Sequence, residues 1–143
     1  MDWIDASLPF VQKRGYSLDA HVFDLELDVH QFDFARYASL VEQVTKSCIQ
    51  FVTLAETITD DTERKLYELW VDTSKDNPGQ YGSVAPFDQW KKEFMPENFS
   101  RKDWVFIAVD GERFVGVTQL FTTEEEGVVY TNYSSVYKLY RRS

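Results

Sequence analysis

Residues 104–136 carry three successive β-type segments joined by two turn signals, and this stretch restricts the fold more than any other. Trp104-Val105-Phe106-Ile107-Ala108-Val109 is a run of β-branched and aromatic residues, Asp110-Gly111 is a strong two-residue hairpin signal, and residues 114–121 read as the return strand. Residues 122–127, with Glu124, Glu125 and Glu126 in succession, form the next connection, and 128–136 is a third strand. A two-residue link permits only antiparallel pairing, so the chain is committed to a meander sheet. The glutamate run reads most simply as a solvated loop that keeps the sheet soluble.

Upstream, helical and extended patterns alternate. Residues 7–14 suit the end of a helix, with Gly15 providing the positive φ of a C-terminal cap. Residues 16–29 read as a strand, because Leu25, Leu27 and Val29 alternate with Glu26 and Asp28. Asp33 is placed to cap a helix whose face holds Phe34, Tyr37, Ala38, Val41 and Val44, with Ser47 at its end. Residues 49–54 suggest a short strand. Asp60 with Glu63 then opens a helix with Leu66, Leu69, Trp70 and Thr73 on one face, ending near Ser74. Residues 76–83, with one Pro and two Gly, read as a surface connection or a mobile lid. Pro86 suits the first position of a further helix lined by Phe87, Trp90 and Phe94 and stopped by Pro96. That stripe reads as core, with a substrate-facing role for Trp90 or Phe94 the alternative. The expected fold class is α+β: an antiparallel meander sheet flanked by helices.

Composition removes several functional classes. At 43% hydrophobic and 16% aromatic, 143 residues can bury a core. A net charge of −9 works against nucleic acid, whose binding depends on Lys and Arg releasing counterions from phosphates. Lys138, Arg141 and Arg142 gather locally, either as a solvated tail or as a contact for a single phosphate group. The lone Cys48 fits a reducing, cytoplasmic setting and reads as an inert core thiol. Residues 1–5 lack the pattern of a signal peptide, and no run suits a membrane span, so no membrane partner is expected. The two histidines, His21 and His30, match no metal-ligand spacing, and Gly-x-Ser-x-Gly, Walker and Gly-x-Gly-x-x-Gly signatures are absent.

The hairpin supports a more specific expectation. Val109-Asp110-Gly111-Glu112-Arg113-Phe114-Val115-Gly116-Val117 resembles the turn between the second and third strands of GNAT N-acetyltransferases. The strand at 49–54, the helices opened by Asp60 and Pro86, and the strand at 128–136 follow that family's order. The resemblance covers roughly residues 49–143 and implies a partial GNAT-like fold. A shorter match, Phe10-Val11-Gln12-Lys13-Arg14-Gly15-Tyr16, resembles the segment before the final strands of such a domain. It implies a tandem two-domain parent: residues 1–30 as the tail of a preceding domain, and 31–143 as an incomplete GNAT-like domain.

The resemblance also implies acetyl transfer from acetyl-CoA to a small-molecule or peptide amine. Ser134, Ser135 and Val136 would contact the coenzyme through their backbone, and Arg141 falls at the first position of the family's pyrophosphate loop. That loop's two glycine positions lie past Ser143, which implies weak or absent activity for this chain alone. Asn132 and Tyr133 are substrate-side candidates by position, with strand packing the other role for Tyr133, and no catalytic base carries over. The rival expectation is a non-catalytic binding or dimerisation module that keeps the sheet and pairs as a homodimer through an exposed edge.

Overall fold

A computed structural model describes residues 7–18, 25–59, 61–77, 84–95 and 101–141. By their contacts the residues form two compact units, Met1–Ala35 and Arg36–Ser143, where the sequence places the division after His30.

Among its described residues the first unit holds one short α-helix, α1 (Ser7–Gln12). Gly15 closes it at φ +85°, its N–H bonding to the Gln12 carbonyl while the Tyr16 N–H reaches the Val11 carbonyl. None of this unit's described residues is buried. The strand expected over 16–29 does not form in its described parts, 16–18 and 25–29. Alternation is present, but among the described residues no neighbouring strand supplies hydrogen-bond partners, and Leu25 stays 88% exposed. The Asp28 carboxylate instead accepts the His30 N–H and the Gln31 side-chain amide, fixing a turn.

The second unit carries a four-stranded antiparallel sheet in the order β1-β2-β3-β4, formed by Ile49–Thr53, Val105–Asp110, Arg113–Thr122 and Val129–Val136. The turn between β2 and β3 sits one residue later than Asp110-Gly111. Asp110 pairs with Arg113, and Gly111 takes the first turn position at φ +59°, as a type II′ hairpin requires. Gly127, at φ +82°, lies in the loop leading to β4.

Three helices join this sheet: α2 (Ala38–Lys46), α3 (Thr62–Ser74) and α4 (Phe87–Phe94). A 3-10 turn at Phe34–Tyr37 precedes α2, and the Asp33 carboxylate accepts the Ala35 N–H there. The apolar stripe expected on α2 stays largely exposed, with Val41 at 60%. Cys48 follows α2 in the left-handed region at φ +66° and is exposed, not a core thiol. Asp60, Pro96, Arg142 and loop residues 78–83 lie outside the described residues. At the start of α3 the Thr62 hydroxyl donates to the Thr57 carbonyl and accepts the Thr59 N–H.

The core lies between one sheet face and α3 with α4. Leu66, Leu69, Trp90 and Phe94 meet Val105, Ile107, Val109, Phe114 and Val117, all of them buried. Trp90 and Phe94 stack at 4.9 Å between ring centroids, so their stripe is core. The register sends Phe51, Phe106, Ala108, Gly116, Ser134 and Val136 to the opposite face. That face keeps Phe51 60% and Phe106 40% exposed. No helix among the described residues is long and apolar enough to cross a membrane.

Candidate functional site

The site grows from β4. Along the β3–β4 ladder Gln119 pairs with Tyr133 while Leu120 pairs with Thr131, so Asn132 is an extra residue on β4. Such a bulge leaves its residue outside the ladder and bends the strand. Beyond it, Tyr133 and Ser135 point to the helix-covered face, while Ser134 and Val136 point to the open one. Among the described residues β4 pairs only with β3, so its other edge is unpaired.

A groove of about 710 Å³ follows this strand and gathers Asn132, Tyr133, Ser134, Ser135, Val136 and Arg141 into one lining. Its remaining walls come from Thr73, Asp76 and Asn77 at the end of α3, and from Phe51, Phe106, Ala108, Gly116, Val117 and Thr118 on the sheet. Gly116 lets the floor lie low. A Cβ built there would sit 3.2 Å from Val136 Cγ2 and 3.3 Å from the Ser135 carbonyl oxygen.

Each polar group of the groove has a distinct arrangement. The Thr73 hydroxyl donates to the Leu69 carbonyl at 2.8 Å, so the 2.6 Å contact with Tyr133 has the tyrosine O–H as its donor. Tyr133 also meets Phe94 edge-on at 6.1 Å. Both contacts make it a wall that ties β4 to α3 and α4. Thr118 and Ser134 hydroxyls pair across the strands at 2.5 Å. Ser135 Oγ is buried and, among the described residues, has no hydrogen-bond partner. Past β4, the Tyr137 N–H bonds to the Val115 carbonyl, and a 3-10 turn at Lys138–Tyr140 leads to Arg141. Arg141 Nε donates to the Val136 carbonyl at 2.8 Å, and Nη2 to Asp76 Oδ2 at 2.7 Å. Beneath the floor Gln119, fully buried, donates from Nε2 to the Phe94 carbonyl at 3.2 Å.

A second cavity of about 420 Å³ lies toward the β2–β3 turn among Asp61, Lys65, Glu68, Glu112 and Arg113. Lys65 pairs with Asp61 at 3.1 Å there. Nearby, the Tyr140 hydroxyl donates to Asp110 at 2.7 Å, and that bond raises the tyrosine pKa above its ordinary value. Among the described residues no group of three or more His, Cys, Asp or Glu is placed to hold a metal ion.

Thr73, Asp76 and Gly116 belong to the groove, yet sequence reasoning assigned them no role in it. A hydroxyl on an otherwise apolar helical stripe was the available signal for Thr73. Asp76 stands 65 positions from Arg141, so nothing local announces that pair. Compared with family models, with curated proteins and with solved structures, the chain matches none of them.

Proposed function

We propose that the second unit is a GNAT-like acyltransferase module that binds acetyl-CoA along β4 and passes its acetyl group to an amine. The observation that carries this reading is the bulged, edge-exposed β4 lying along the groove. An extended arm with amide groups, such as pantetheine, can add to such an edge as another strand would. Backbone groups on the unpaired edge of β4 around Ser134 and Ser135 suit its amides, while the Val136 carbonyl already accepts Arg141 Nε. Arg141, at the end of β4, suits an anionic end. In the reaction the amine nitrogen attacks the thioester carbonyl carbon, an N–C bond replaces the S–C bond, the nitrogen loses a proton, and the coenzyme leaves as its thiol. Backbone N–H groups near the Asn132 bulge would stabilise the developing oxyanion.

Calorimetric titration with acetyl-CoA, joined to thiol release in the presence of a panel of primary amines, tests this. One site per chain and amine-dependent thiol release are expected. No heat at millimolar acetyl-CoA would end the reading.

The open sheet face favours a second reading, a non-catalytic module in which a second copy covers Phe51, Phe106 and Val136 or pairs with the β4 edge. Sedimentation over a concentration series would then give a dimer, and a monomer at all concentrations would remove it.

A further inference from the structure

Among the described residues, Asp76 and Arg141 are the only charged ones in the lining of the β4 groove, and they bind each other. The guanidinium is aimed by two contacts from different elements, the Val136 carbonyl at the end of β4 and the Asp76 carboxylate just beyond α3. With that pair closed, the described residues of the groove wall carry no uncompensated charge. A protein of net charge −9 adds no attraction for an anion.

The position of Asp76 is not accounted for by the helix before it. Lys75 caps the C-terminus of α3, and the Asp76 N–H bonds back to the Thr73 carbonyl, which puts the carboxylate at the negative end of the helix dipole. A carboxylate is disfavoured there. Arg141 is the group that compensates it. The two side chains keep 38% and 49% of their surfaces exposed, so water screens the pair and its net strength is low. A ligand phosphate, with more charge and more acceptor oxygens than one carboxylate, can compete with it for a guanidinium.

We infer that Asp76 is a specificity-determining residue of the groove: it occupies the cation that an anionic ligand needs, so such a ligand binds by displacing it, while an uncharged ligand meets no such competition. The identity of the anion as a coenzyme diphosphate rests on the function proposed above; the competition itself does not. Removing the competitor frees one fixed positive charge in a wall whose other described residues are uncharged. The gain is set by the strength of a half-exposed ion pair, which corresponds to about two- to fivefold in affinity.

The test is calorimetric titration of the wild-type chain, Asp76→Asn, Arg141→Gln and the double variant with inorganic pyrophosphate, coenzyme A and uncharged pantetheine. Both substituted residues are exposed, so the fold is expected to persist, and circular dichroism checks it. Asp76→Asn should tighten pyrophosphate by about two- to fivefold, with no such gain for pantetheine and none in the Arg141→Gln background. Pyrophosphate bound no more tightly by Asp76→Asn, including no measurable binding to either form, overturns the inference. So does a gain that survives removal of Arg141. A gain with pyrophosphate while coenzyme A fails to bind any form supports the role of Asp76 and rejects the coenzyme reading. Coenzyme A binding unchanged by Asp76→Asn, with pyrophosphate also unchanged, does the reverse.

Discussion

The Tyr133–Thr73 contact ties β4 to α3, and its two hydroxyls allow its strength to be worked out. Tyr133 donates to Thr73 at 2.6 Å, and Thr73 passes its own proton to the Leu69 carbonyl at 2.8 Å. Tyr133→Phe keeps the ring against Phe94 and removes one neutral hydrogen bond, leaving an accepting site on a Thr73 that is only 5% exposed. The expected cost is about 1 kcal/mol, within the range of about 0.5–1.5 kcal/mol for such a bond. Thr73→Val removes both of its hydroxyl contacts in nearly the same volume and should cost a similar amount, while Tyr133 can turn its O–H to water in the groove. In the double variant neither unpaired group remains, and the cost should fall below the sum by about 1 kcal/mol. Urea denaturation of the four proteins gives the coupling energy directly. Costs that simply add, or a Tyr133→Phe protein as stable as wild type, would refute the reasoning and leave β4 held to the helices by packing alone.

Other predictions follow from the same structure. Cys48 sits at φ +66°, where an L-residue costs about 1–2 kcal/mol, so Cys48→Gly should stabilise the protein by about 0.5–1 kcal/mol after glycine's entropy is counted, read as a higher urea midpoint at unchanged slope. A lower midpoint would argue against that backbone. The Glu56 carboxylate accepts the Thr53 N–H and hydroxyl, and these bonds hold its pKa below the ordinary glutamate value. Its stabilising effect is therefore present above the unfolded-state pKa and lost as pH falls through the lower folded-state one; Glu56→Gln should flatten that part of the acid limb of stability against pH, and an unchanged limb would contradict the assignment. Gly116→Val places a branched side chain against Val136 and the Ser135 carbonyl on the groove floor, so acetyl-CoA affinity should fall by about tenfold or more while the circular dichroism spectrum is retained. Retained affinity would put the ligand elsewhere.

The sheet was largely legible because its signals are local. A run of β-branched and aromatic residues marked β2, the Asp110-Gly111 signal marked the turn and the return strand β3, and only the offset was missed: the left-handed position belongs to Gly111, which moves the turn to Gly111 and Glu112. Alternation misled at Leu25, Leu27 and Val29, because a strand needs a neighbour and none pairs with this segment among the described residues. At α3 the pattern gave the helix and its buried face, whereas hydrogen bonds among Thr57, Thr59 and Thr62 fix its start. The groove was only half legible. Its β4 side lies in one continuous segment, but the Asn132 bulge depends on pairing with β3, and Thr73, Asp76 and Gly116 come from elements far away in sequence.

Amide chemical-shift mapping with acetyl-CoA tests the central claim most directly. The account predicts saturable shifts concentrated at residues 132–136, at Gly116 to Thr118 across the ladder, and at Arg141. No shifts at millimolar ligand, or shifts centred instead on Asp61, Lys65 and Arg113 at the second cavity, would contradict it.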